Sequence, residues 1–101
     1  MMDNTTRTAF ERLLRIAQSD TGQSSRVASF VLAWWNAADH GGFDIADLFA
    51  VDAEIGRDMA TVFSYLVDRP TAEYPEAYRA EIEAVMRRWR PEVWERYAES
   101  A

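Results

Sequence analysis

Arg26 to Ala38 reads RVASFVLAWWNAA. Inside this stretch only Ser29 and Asn36 are polar, and Trp34 and Trp35 stand side by side. A helix that is apolar nearly all round has to be wrapped by neighbours. The stretch is therefore expected as the central helix of an all-α domain. The architecture expected is a compact bundle of four main helices, plus one or two short helices, around a central apolar helix at 26–38.

The flanking sequence supplies the wrapping. Phe10, Leu13, Leu14 and Ala17 sit at i, i+3, i+4 and i+7, a single helical stripe. Thr6 is the expected N-cap of that helix. Asp20-Thr21-Gly22 ends it, with Gly22 free to take positive φ. Ser24 or Ser25 is expected to cap the central helix, and His40-Gly41-Gly42 to stop it. Asp44 can cap a short turn holding Ile45, Leu48 and Phe49. Asp52 then opens a third helix, with Ile55, Met59, Val62, Phe63 and Leu66 on its stripe. Gly56 inside it costs about 1 kcal/mol relative to Ala, which a close helix contact would explain.

Pro70 ends that helix. Pro75 suits the start of a fourth, whose stripe is Tyr78, Ile82, Val85, Met86 and Trp89. Pro91 starts a last short helix carrying Trp94 and Tyr97. Nothing alternates with period two, so no strand is expected. Residues 1–5 read as a flexible tail and 6–101 as a single helical domain.

The chain has no cysteine, so disulfides, thiolate metal sites and cysteine nucleophiles are excluded. The N-terminus has no apolar signal region, and the apolar run at 30–35 is too short to cross a bilayer. A soluble, cytoplasmic protein is expected. Net charge is −6, and every basic residue is arginine. Residues 1–38 and 84–101 each carry a balance of +1, whereas residues 39–83 carry −8. An acidic midsection makes a phosphate backbone an unfavourable partner.

No motif carries recognisable catalytic chemistry. His40 stands alone, without the second ligand a metal site wants or the nucleophile elbow a hydrolase needs, and reads as a solvent-facing loop or helix end. Asp39, Asp44, Asp47 and Asp52 lack calcium-loop spacing; two of them, Asp44 and Asp52, are better explained as helix caps and the others as solvated surface. Glu81 and Glu83, two apart, point to different helix faces. Arg87, Arg88 and Arg90 flank Trp89, but Glu92 and Glu95 offset them and Trp89 continues a core stripe. No catalytic residue, cofactor or metal is assigned.

The distinctive feature is the acidic middle. Asp52, Glu54, Asp58, Asp68, Glu73, Glu76, Glu81 and Glu83 belong to two helices expected to be antiparallel neighbours. Their outer faces would then merge into one negative surface. Complementary charge speeds association, so the partner expected is a basic, nucleic-acid-binding protein or complex, with no direct nucleic-acid contact and no membrane. One alternative is a homodimer burying an edge made by Trp94 and Tyr97. Another is a ligand-binding or enzymatic bundle with a polar pocket at His40.

The segment from Leu13 to Trp94 carries AWWNA at 33–37, GGFD at 41–44 and WRP at 89–91. It resembles an uncharacterised proteobacterial domain family found on plasmids and other mobile elements. The resemblance implies no catalytic residues. The mobile-element setting implies a counter-defence or regulatory role, an anti-CRISPR inhibitor among them.

Overall fold

The computed structural model describes residues 2–100, with only the backbone of Ser100. The described residues form an all-α bundle: α1 (Asn4–Ala17), α2 (Ser24–His40), α3 (Ala53–Val67), α4 (Arg79–Trp89) and α5 (Pro91–Ser100). Two 3-10 turns, Ile45–Ala50 and Glu76–Tyr78, complete it. No strand occurs among the described residues.

α1 starts earlier than expected. Asp3, not Thr6, is its N-cap: Asp3 Oδ1 accepts from the Thr6 amide at 2.8 Å. Residues 2–5 are thus the cap and first turn of a helix and not a tail, while Met1 lies outside the described residues. Thr6 is instead buried on the inner face, beside Ala9, Phe10, Leu13, Leu14 and Ala17. This face meets α2, α3 and α4. Phe10, Leu13, Leu32, Met59, Ile82 and Met86 are fully enclosed. Each such side chain stabilises the fold by about 1.5–3 kcal/mol.

Polar bonds fix α4 and the turn before it against α1. Trp89 Nε1 donates to the Ala17 carbonyl at 2.7 Å, and Arg88 Nε to the Ser19 carbonyl at 3.0 Å. Tyr78 Oη donates to Glu11 Oε2 at 2.8 Å. Gly41, with φ of 89°, closes α2 by donating its amide to the Ala37 carbonyl at 2.8 Å. Gly22 does not use positive φ.

Two expectations about α2 need revision. Neither serine caps it through an N2 or N3 amide; Ser24 is buried and accepts from the Thr21 amide at 3.1 Å. The helix is also not one rod. Asn36 is extended (φ −168°, ψ 90°), and its Oδ1 accepts from the Asp39 amide at 3.1 Å. Asn36 therefore acts as the cap of a fresh turn, and this causes the kink. Before the break, Val27, Ala28, Val31 and Leu32 are fully buried.

The molecule measures 36 × 33 × 20 Å. Helices with side chains are about 10 Å across, so its thin dimension holds two layers. Two layers cannot sheathe a helix on every side. Trp34 and Trp35 are accordingly half-buried, and Ala37 and Ala38 are exposed.

Candidate functional site

The eight acidic residues do not share one helical face. α3 and α4 do not form a packed pair; α3 lies against α1, and α4 against α2 and α1. Several of the acids are also engaged within the chain. Arg12 Nε and Nη2 donate to the two Asp58 carboxylate oxygens at 2.9 and 2.8 Å. Gln23 bonds both the side chain and the amide of Asp52. Glu73 accepts from Tyr65 Oη and faces Arg69 Nε at 3.5 Å. Glu83 lies 4.0 Å from Arg79. Glu54, Asp68 and Glu76 are exposed and Glu81 is half-exposed. The expectation of one continuous negative surface rested on α3 and α4 being adjacent, and the two helices are not packed together.

The Trp94 and Tyr97 edge is turned inward. Tyr97 Oη donates to Asp39 Oδ2 at 2.6 Å, and its ring lies 5.9 Å from that of His40. The Arg87 guanidinium covers the Trp94 ring at 5.0 Å. Both aromatics are partly buried and pack on the core.

His40 is not solvent-facing. It is 4% exposed, and neither ring nitrogen has a hydrogen-bond partner. Burial is the main reason its pKa lies below the usual imidazole value; Arg90 adds to the effect and Asp39 opposes it. Arg90 Nε donates to the His40 carbonyl at 2.9 Å and Nη2 to Ser29 Oγ at 3.3 Å. Among the described residues no group of three or more His, Cys, Asp or Glu could hold a metal.

The open site lies elsewhere. α1 pairs with both α2 and α3, but α2 and α3 do not pair closely with each other. The gap between them is a groove of about 410 Å³. Its walls are Phe30, Ala33 and Trp34 from α2, Val62, Phe63 and Leu66 from α3, and Phe43 and Ile45 from the connecting segment. No lining residue is charged. Phe30 makes edge-on contacts to Phe43 at 5.3 Å and to Phe63 at 5.7 Å, which sets the floor. Ile45 and Phe63 on the rim are 68% and 52% exposed. Val67 and Phe49 are more exposed still, at 78% and 94%.

Trp34 is the dividing wall. Its ring abuts Phe10 at 5.3 Å, and its Nε1 donates to the Glu73 carbonyl at 2.8 Å. Beyond it lies a wider, more polar depression of about 710 Å³, which Trp35, Asn36, Tyr74 and Glu76 help to line.

A family model described as a family of unknown function, DUF7673, matches residues 7–90. The chain belongs to the DUF7673 family. No curated protein and no solved structure matches it. The DUF7673 match runs from α1 through α4, so it takes in every residue lining the groove and stops before α5. Among the described residues of this DUF7673 chain, no helix is long and apolar enough to cross a membrane.

The groove was missed in the sequence because Phe63 reads as part of the α3 core stripe. A usable signal was the width of that stripe. Ile55, Met59, Val62, Phe63, Tyr65, Leu66 and Val67 spread over more of the helix than one buried face can take.

Proposed function

We propose that this DUF7673 protein is a non-enzymatic protein-binding module whose docking site is the groove between α2 and α3. The observation that carries this reading is the set of large apolar side chains, Ile45 and Phe63 foremost, that the fold leaves open to solvent. A contiguous exposed apolar patch on a small domain marks an interaction site more often than a neutral surface. Phe63 rests one edge on Phe30 and leaves about half its surface to solvent. In its finer form the reading is an acidic cytoplasmic inhibitor that occupies a basic, nucleic-acid-binding defence complex of the kind anti-CRISPR proteins target. The net charge of −6 supports that choice of partner.

Photocrosslinking in cells tests the site. A photoreactive residue at Phe63 is expected to give a discrete adduct with a partner protein, and one at Glu81 on α4 is not. Adducts that arise equally from both positions, or from neither, would overturn the assignment.

A further inference from the structure

We propose that the groove takes an amphipathic helix with basic flanks. The inference rests on the docking reading above and names the occupant. Three observations select it.

The first is shape. The groove is open along its rim, where Ile45 and Phe63 are 68% and 52% exposed. A small ligand is oriented by a few placed polar groups, and the lining, almost wholly apolar side chains, offers no charged one. The second is the architecture. The described residues contain no sheet edge, so an extended peptide has no backbone ladder to join. A helix needs no such ladder: it presents an apolar stripe at i, i+3/i+4 and i+7, and the groove floor accepts one or two of those anchors.

The third is charge. Asp44 sits between the lining residues Phe43 and Ile45, and Asp47 follows one turn on. Asp68 caps the end of α3 two residues after Leu66. Glu73 is tied to Trp34 through its carbonyl, and Glu76 stands with Trp34 in the adjoining depression. The arginines bordering this region are Arg26, spent on Asp47 at 3.4 Å and on the Gly22 carbonyl at 3.1 Å, Arg69, spent on Glu73 and on the Tyr65 ring, and Arg79, stacked over the Trp35 ring at 5.0 Å. Five acids against three arginines leave a local surplus of two negative charges. That field draws basic flanks, repels nucleic acid and disfavours a second copy of this acidic chain.

Three synthetic helical peptides of about sixteen residues test the proposal against the full chain. One has a Leu/Phe stripe and Arg/Lys flanks. The second keeps the stripe but has Glu flanks. The third keeps the first one's composition with the stripe scrambled. Binding is followed by calorimetry and by backbone amide shifts. The first peptide is expected to bind, to shift residues 43–45 and 62–67, and to weaken as salt rises. The second should bind at least about tenfold less tightly and the scrambled peptide not measurably. Phe63→Ser, checked for an unchanged circular dichroism spectrum, should abolish the binding. Equal binding of the first two peptides, shifts mapping elsewhere, or binding by none overturns the proposal. So does concentration-dependent dimerisation that Phe63→Ser removes. A Phe63-specific crosslink in cells alongside peptide failure would leave the docking site standing and remove only this occupant.

Discussion

Arg12 on α1 grips Asp58 on α3 through two parallel hydrogen bonds, at 2.9 and 2.8 Å. The Asp58 side chain is only 13% exposed, with both carboxylate oxygens held by Arg12. Asp58→Asn and Arg12→Met should each lower stability, and the double variant should lose less than the two losses combined. Urea unfolding of the four proteins measures this coupling, which should shrink as salt rises. Strict additivity would show that the pair contributes no bond energy of its own.

Gly56 does not mark a close helix crossing. A Cβ there would meet only Leu48 Cδ2, at 4.0 Å. Gly56→Ala should therefore raise stability by about 0.5–1 kcal/mol through helix propensity alone. A loss in denaturant unfolding would mean that the Ile45–Ala50 turn sits tighter on α3 than this spacing allows.

Apolar residues that the fold uses and those it leaves open should separate cleanly. Leu32 is wholly enclosed, and Leu32→Ala should cost about 2–5 kcal/mol. Phe63→Ser should cost less than about 1 kcal/mol, because half its surface is already wet. Comparable losses in thermal unfolding would make Phe63 a core residue and close the groove as a docking site.

His40 sets an acid limit. Its pKa in the folded protein lies below 6.5, so the unfolded chain takes up this proton more readily than the folded one. Stability contributed by neutral His40 is complete above about pH 6.5 and declines as pH falls from there through the lowered folded value. Melting curves across this range should show the decline, and His40→Phe should flatten it. Asp3 and Glu73 leave a separate signature. Their carboxyls are held down by hydrogen bonds from Thr6 and Tyr65, so their contribution is present above their ordinary values of 3.8 and 4.5 and is lost below them.

The all-α bundle was legible because each stripe has a clear 3.6-residue period and a proline or glycine at its end. Asp44 was also legible as a cap: its Oδ1 accepts from the Ala46 amide at 2.9 Å. Helix adjacency was not, since amphipathic stripes say which face is buried and not against which neighbour. That is why α3 and α4 were paired wrongly and the acids merged. Asn36 followed by Asp39 has the form of a capping pair, but it was masked by the apolar run around it. The groove depends on how far α2 and α3 stand apart, a quantity no periodicity encodes.

The break at Asn36 gives α2 two separate anchorages. Val27 to Leu32 belong to the interior, whereas Asp39 and His40 are held by Tyr97 and Arg90 near the C-terminal helix. Arg90, at the mouth of α5, spans that break, holding the His40 carbonyl on one side and the Ser29 hydroxyl, next to Phe30 of the groove wall, on the other. The hinge at one asparagine is thus bridged by a single guanidinium, which couples the C-terminal helix to both halves of α2.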